Sequence, residues 1–293
     1  MNWKPFSDKM LQKFYKYHGA GNDFLLADNR DGILFLNPEQ IRRLCDRHTG
    51  FGADGVMLLE RSEEKDFRMV FFNPDGSGGI MCGNGGRCIV SFAADLGVVS
   101  GNYPVEFEAP DGLHTAVVDR KASQESSDTR IIRLKMRDVD GIREYPEEDA
   151  FFLNTGTRHL VKFVEGLESY PVLEEGRTLR SDLRFAPEGT NVNFVEVEST
   201  AEGIILHGRT FEKGVEDETL ACGTGIVASA MAAYSKGIQG QEDPSGRFAY
   251  RIRAAIADLA VDFVPEGSGE GFHATDVWLT GPATFVGTVE ILL

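Results

Sequence analysis

The sequence predicts a duplicated α/β fold, on three observations. Many short segments carry apolar residues at strand spacing, and few follow a helical period. The segments CGNGGRCIVSFAADLG, from Cys82, and CGTGIVASAMAAYSKG, from Cys222, align without gaps. They share the Cys, the next Gly, the Gly two further on, an Ala (Ala93, Ala233) and the closing Gly (Gly97, Gly237). Cys222 follows Cys82 by 140 residues in a chain of 293, close to half its length. Two halves, each built around one helix that starts Cys-Gly-x-Gly, imply pseudo-two-fold symmetry and a ligand cleft between the halves. The boundary is set near Asp128. The first half is residues 1–128 plus a return strand at about 280–293, and the second is residues 129–279.

The elements follow in order. Residues 14–17 and 23–28 read as strands joined by the turn HGAGN. Asn37-Pro38 opens a helix, with Asn as cap, Pro at the first helical position and Gln40 three on. Ile41, Leu44, Cys45 and His48 share one face of it, and Gly50 is its expected stop. Strands follow at residues 55–59 and 67–72, the second running into the turn NPDG. Past the first Cys-Gly helix, residues 105–109 and 113–118 flank a Pro-Asp-Gly turn. Ile132, Leu134 and Met136 alternate with Arg133, Lys135 and Arg137, as on a half-buried strand, and Val195 and Val197 alternate with Glu196 and Glu198 in the same way. The second Cys-Gly helix stops at Gly237. Strands fill the remainder, closing on residues 284–292.

Composition narrows the function. Of all residues, 42% are apolar and 26% charged, as in ordinary globular proteins, with one polar stretch, KASQESSDT, at residues 121–129. Thirty Lys+Arg against 46 Asp+Glu give a net charge of −16, which argues against a nucleic-acid partner. No apolar run approaches the roughly 20 residues that span a bilayer, and the N-terminus has no secretory h-region, so the expected location is the cytoplasm. The four cysteines form no C-x-x-C and the six His are scattered, so neither a disulfide framework nor a zinc site is expected. The glycines fit neither G-x-G-x-x-G nor a P-loop.

The chemistry rests on Cys82 and Cys222. Cys45 and Cys88, on apolar helix faces, read as inert small hydrophobes. The first turn of a helix has N–H groups without intrahelical partners and carries partial positive charge. A thiolate there is stabilised, and the same N–H groups can bind a carboxylate. If two such starts act on one amino acid, one sulfur removes the α-proton and the other returns a proton to the opposite face. That is what racemisation needs.

Five motifs then resemble the diaminopimelate epimerase family, in the family's order: HGAGNDF at residues 18–24, RHTGFGADGV at 47–56, FFNPDGS through MCGNGGRC at 71–88, GTNVNF at 189–194 and FEKGVEDETLACGTG at 211–225. They span most of the chain beyond an N-terminal extension of about a dozen residues. The resemblance implies an α+β fold of two pseudo-symmetric domains, each a curved, mostly antiparallel sheet wrapped round a central helix, with the active site in the cleft between them. It implies no pyridoxal phosphate or other cofactor, no metal, and a homodimer. The activity implied is interconversion of LL- and meso-2,6-diaminoheptanedioate, a step toward lysine and cell-wall precursors. The family's catalytic pair falls on Cys82 and Cys222. Its carboxylate-binding backbone falls on Gly83-Asn84 and Gly223-Thr224, its asparagines on Asn22, Asn73 and Asn191, and its acidic residue on Glu212. It suggests that His159 and Glu212 tune the two sulfurs, an imidazolium lowering a thiol pKa and a carboxylate raising it.

Without the resemblance, Asn22 and Asn73 are ordinary turn residues, Glu212 a solvated charge at a strand end and His159 a satisfied loop histidine. Two departures affect the distal end of the substrate. Thr157-Arg158-His159 stands where the family commonly has Asn-Pro-His, and Glu212-Lys213 where it has Glu-Arg. Lys lacks the two-bond grip of Arg on a carboxylate, and Arg158 is a candidate to replace it. The alternative within the same architecture is a proline or hydroxyproline racemase, which usually carries His where this chain has Asn84. The related phenazine-biosynthesis type lacks the Cys pair. A non-catalytic amino-acid-binding protein and a thiol redox sensor are the alternatives of another class.

Overall fold

The computed structural model describes residues 11–101, 103–119 and 128–293. The start of the chain and most of the polar stretch at 121–129 lie outside the described residues. The chain divides into two units. One runs to Arg130 and includes Ala283–Leu293; the other is Ile131–Pro282.

In the first unit, strands β1 (Leu11–Gly19) and β2 (Asn22–Asp28) form a hairpin. Its two turn residues, Ala20 and Gly21, have φ of 53° and 89°, the left-handed pair that a two-residue hairpin turn requires. Helix α1 (Pro38–Cys45), strands β3 (Val56–Glu60) and β4 (Phe67–Phe72), helix α2 (Gly83–Asp95) and strands β5 (Val105–Ala109) and β6 (Gly112–Asp119) follow. Successive strands from β1 to β6 pair antiparallel, parallel, antiparallel, parallel, antiparallel. Strand β7 (Thr129–Lys135) leads out of this unit.

The second unit holds β8 (Val139–Asp140), β9 (Arg143–Tyr145), β10 (Ala150–Asn154), β11 (Arg158–Phe163), helix α3 (Val172–Arg180), β12 (Asn191–Thr200), β13 (Gly203–Glu212), β14 (Asp217–Thr219), helix α4 (Gly223–Ser235), β15 (Gln241–Glu242), β16 (Phe248–Arg253), β17 (Asp258–Glu266) and the first part of β18 (His273–Leu292). Strands β10, β11, β12, β13, β16 and β17 repeat the pattern: antiparallel, parallel, antiparallel, parallel, antiparallel. The end of β18 pairs with β1 in the first unit.

A parallel pair needs a crossover, and each one here carries a helix. Helices α1 and α3 make the first crossover of their units; α2 and α4 make the second. Helix α2 packs on β1, β2, β3 and β6, and all its residues from Gly83 to Ala93 are buried. Helix α4 packs on β10–β13, β16 and β17, with Gly225 through Ala233 buried. A helix buried all round lies at the centre of its domain. Helices α1 and α3 cover the other face of each sheet, α1 setting Ile41 and Leu44 against Phe14, Leu25 and Val56 in one unit and α3 lying over Leu160, Val192, Phe194 and Phe211 in the other.

Three expectations differ from the structure, the first because of that double cover. Strand β12 does not alternate throughout: Asn191 to Val195 are buried on both faces, and beyond them Val197 is 37% exposed, past the reach of the helices. The first helix opens as expected, with Asn37 and Gln40 closing a capping box. It ends at Cys45, so His48 is not on its face; the Asp46 carboxylate instead takes the N–H groups of His48 and Thr49 and turns the chain away. Helix α3 was not expected. Its sequence, VLEEGRTLR, has a central glycine and no side-chain cap. The glycine is there for contact, because a Cβ on Gly176 would lie 2.5 Å from the Phe211 Cβ.

Candidate active site

Cys82 and Cys222 are both helix N-caps, of α2 and α4, at the same point of the repeated unit. The first intrahelical bonds run from Gly86 N–H to the Cys82 carbonyl and from Ile226 N–H to the Cys222 carbonyl. The N–H groups of Gly83-Asn84 and Gly223-Thr224 therefore lie ahead of the ladder, at the positive end of each helix.

The two sulfurs have different surroundings. The Cys82 Sγ accepts the Gly85 N–H at 3.3 Å and lies 3.8 Å from Asn22 Oδ1. Asn22 is fixed by a chain of charge-assisted bonds. Its Nδ2 donates to Asp54 Oδ2 at 2.6 Å, and Arg47 holds the other Asp54 oxygen at 2.6 Å. Asn84 Nδ2 donates to Asn22 Oδ1 at 3.4 Å, and the wholly buried Arg87 donates to Asn84 Oδ1 at 2.8 Å. Burial alone would raise the carboxyl pKa of neighbouring Asp23, but hydrogen bonds from Arg47 and Lys16 outweigh it and hold the group at about 2. Asn73 stands apart from this chain. Its amide donates to Ser77 Oγ and the Gly78 carbonyl, closing the turn.

Cys222 Sγ lies 3.5 Å from Thr224 Oγ1. That hydroxyl is 2.9 Å from His159 Nε2 and 3.0 Å from Thr157 Oγ1. Asn191 donates to Thr157 Oγ1 and to the Arg158 carbonyl, and its own oxygen accepts the Lys213 N–H. His159 is not in a loop: it sits on β11 with no exposed surface. Burial drives its pKa down to about 3, so the imidazolium expected there is replaced by a neutral ring. Glu212, at the end of β13, is not a freely solvated charge. Burial pushes its carboxyl up, and a hydrogen bond from Thr219 pulls it partly back. Cys45 and Cys88 are buried, and burial raises both thiols, Cys45 to about 11. Among the described residues, no cluster of three or more His, Cys, Asp or Glu is arranged to hold a metal, and no helix is long and apolar enough to cross a membrane.

The hydrogen bonds of Thr157 and Asn193 to His159, that of Thr210 to Asn193, and those of Arg47, Asp54 and Arg87 around Asn22 are not legible in the sequence. Each residue except Thr157 lies in or next to a quoted motif, but nothing local marks a side chain as the partner of another far along the chain.

The neutral His159 has a measurable consequence. Its pKa is lower folded than the ordinary 6.5, so the unfolded chain binds the extra proton first. The stability it confers is complete above 6.5 and is lost as pH falls toward about 3. A His159→Gln variant should flatten that acid slope by up to about 1.4 kcal/mol per pH unit, measured by urea unfolding across the range.

The same fold, a repeated sheet-and-helix unit, recurs in solved structures of other proteins. A phenazine biosynthesis protein of the PhzF family from Bacillus anthracis superposes with a TM-score of 0.71 at 17% identity, over 97% of this chain and 100% of the other. A hydroxyproline epimerase from Agrobacterium vitis superposes at 0.64, also at 17% identity, over 100% of this chain and 94% of the other. At that identity these likenesses define the fold alone. Sequence is more specific. The diaminopimelate epimerase family model matches residues 14–129 and 151–245. The diaminopimelate epimerase of Flavobacterium psychrophilum is 40% identical over 94% of this chain and 98% of its own length. That of Chlorobaculum tepidum is 44% identical over 93% and 99%. The chain belongs to the diaminopimelate epimerase family and is an isomerase.

Proposed function

We propose that the chain interconverts LL- and meso-diaminopimelate by two-base proton transfer between Cys82 and Cys222. The observation that carries this reading is that both cysteines cap the central, buried helix of a repeated unit at the same position. One thiolate takes the α-proton, leaving a carbanion whose charge spreads into the adjacent carboxylate. The N–H groups of Gly83-Asn84 and Gly223-Thr224 hold that carboxylate and stabilise the developing charge. The other thiol gives its proton to the opposite face of the α-carbon. The starting protonation states are then exchanged, so the reverse reaction uses the same groups. No cofactor takes part in these steps.

Asn22, Asn73, Thr157, Asn191, Glu212 and Lys213 are assigned to substrate binding. His159 and Glu212 adjust the thiols, the first by a hydrogen bond and the second by charge when ionised. The two halves, residues 1–128 with a return strand near 280–293 and residues 129–279, are assigned as the two epimerase domains. The compartment assigned is the cytoplasm, where thiols stay reduced, and the assembly is a homodimer.

Lys213 and Arg158 are the cations assigned to the distal carboxylate. Arg158 Nη1 is paired with Glu188 at 2.7 Å, and Lys213 Nζ donates to the Glu188 carbonyl. The Arg158–Glu188 pair is exposed and worth only about 0–1 kcal/mol, so a substrate carboxylate can displace it. Arg158→Ala should raise KM about 10-fold with kcat little changed, the loss of one charge-assisted contact. An unchanged KM removes Arg158 from recognition.

The reading as a whole is tested by incubating LL-diaminopimelate with reduced protein in deuterated water. Loss of the α-proton signal with appearance of the meso isomer supports it. Binding without exchange rejects it.

A further inference from the structure

The neutrality of His159 leaves open which ring nitrogen carries the proton, and the β-sheet of the second unit settles it. Asn193, on β12, is 1% exposed. Its side chain has three partners: Thr210 Oγ1 at 2.9 Å, the Leu160 carbonyl at 3.3 Å and His159 Nδ1 at 2.9 Å. A carbonyl can only accept, so the amide atom facing Leu160 is Nδ2, and Oδ1 takes the Thr210 hydroxyl. The same Nδ2 faces His159 Nδ1, which must therefore be the acceptor. In a neutral ring the proton then sits on Nε2, and that nitrogen is 2.9 Å from both Thr157 Oγ1 and Thr224 Oγ1.

We infer that Asn193 is a positioning residue: locked by Thr210 and the Leu160 carbonyl, it holds His159 as the Nε2–H tautomer, so that the ring gives Thr224, and through it Cys222, a hydrogen bond and not a positive charge. The inference rests on the assignment of Cys222 as a proton-transfer group. A hydroxyl that receives a hydrogen bond is free to turn its own hydrogen toward the sulfur, which favours the thiolate without placing a fixed cation beside it. Because a hydrogen bond biases the thiol less than an imidazolium would, Cys222 can serve as base in one direction and as acid in the other.

The ring is bonded to Asn193 from β12, Thr157 ahead of β11 and Thr224 at the start of α4, with Thr210 on β13 behind Asn193 and Cys222 beside Thr224. Strand β10 sets Leu153 opposite His159. Burial is the sole cause of the fall in the ring's pKa, and Glu212 is bonded to Thr219. Gly225 leaves room for this arrangement, since a Cβ there would lie 2.2 Å from Asn193 Oδ1.

The test begins with the full-length protein labelled with ¹⁵N-histidine and no substrate. Two-bond ¹H–¹⁵N spectra, with the His159 signal assigned by its loss in His159→Gln, should show one Nε2–H tautomer that does not titrate near neutral pH. A titrating ring, or the Nδ1–H tautomer, overturns the inference. In Asn193→Asp the carboxylate demands a proton on Nδ1. That variant should show a protonated His159 at neutral pH, an added ionisation in its kcat/KM profile and a kcat loss of about 10-fold or more with KM little changed. A wild-type pH profile in a folded Asn193→Asp protein also overturns it. Thr210→Val should free the amide and mix the tautomers, and Thr210→Ser should restore the single one. The wild-type spectrum decides even if the aspartate variant fails to fold. Absence of α-proton exchange with the Nε2–H tautomer intact would refute the epimerase reading and leave the ring geometry standing, whereas the wrong tautomer in an active enzyme would refute this inference alone.

Discussion

Alanine at Cys82 or at Cys222 is expected to lower epimerisation by at least ~10³-fold, at the upper end of what one positioned acid or base contributes. Both losses should be complete in both directions, because each sulfur is the base one way and the acid the other. A structural role predicts something different. Cys82 caps α2 through its sulfur, which accepts the Gly85 N–H. Serine keeps a capping acceptor, and Ser is among the favoured N-caps. Cys82→Ser should therefore match wild type in thermal unfolding and still be inactive, its hydroxyl being far too weak an acid to carry the proton. If Cys82→Ser retained activity, Cys82 would be a cap and nothing more. Cys222 makes no such capping bond, so Cys222→Ala should lose activity with little change in stability.

Gly225→Ala is expected to be far more damaging than Gly85→Ala, although the two glycines are equivalent in the repeat. A Cβ at Gly225 would meet Asn193 Oδ1 at 2.2 Å and His159 Cε1 at 3.3 Å. Asn193 has no room to yield: all its polar atoms are committed in a fully buried site. Overpacking of this kind costs about 1–3 kcal/mol, and a displaced amide leaves buried groups without partners at a similar further cost. A Cβ at Gly85 would meet Cys82 Sγ at 3.3 Å and the Met57 sulfur at 3.6 Å, contacts that small movements relieve. Urea unfolding of the two variants should separate them by at least about 2 kcal/mol. Equal losses would mean that the Asn193 clamp is not rigid. Gly225→Ala should also lose the single His159 tautomer, while Gly85→Ala should keep it.

The duplicated fold was legible because its central helices are the most distinctive segments of the chain. Two Cys-Gly-x-Gly starts, each followed by a mostly apolar helix, mark both halves. The cap of α1 was legible for a local reason, since Asn37, Pro38 and Gln40 are all the information a capping box needs. Helix α3 was hidden by Gly176, whose purpose is a contact with Phe211, 35 residues on. The parallel pairing of β11 with β12 demands a crossover there, but that demand is invisible until the pairing is known. Val197 was misplaced because alternation says which residues share a face, not how far the covering helices extend.

The site divides in the same way. The positions of Cys82 and Cys222 follow from local sequence. The state of His159 does not: a histidine between Arg158 and Leu160 gives no sign that an asparagine 34 residues on fixes its proton. The expected imidazolium was chemically reasonable for a thiol neighbour and was reversed by burial. The departures at Thr157 and Lys213 belong to this long-range group. Thr157 adds a hydroxyl next to His159 and Thr224, and the Lys213 N–H and Nζ serve Asn191 and residue 188.

The most direct test of the two-base account is the fate of the proton in a single conversion. LL-diaminopimelate is converted in deuterated water, the reaction is stopped at low conversion, and the isomers are separated and analysed for deuterium at the inverted α-carbon. Two cysteines on opposite faces predict solvent deuterium in essentially all of the new meso product and none in the recovered substrate. Product that retains the substrate's own proton would mean that one group both removes and returns it, and would contradict the account.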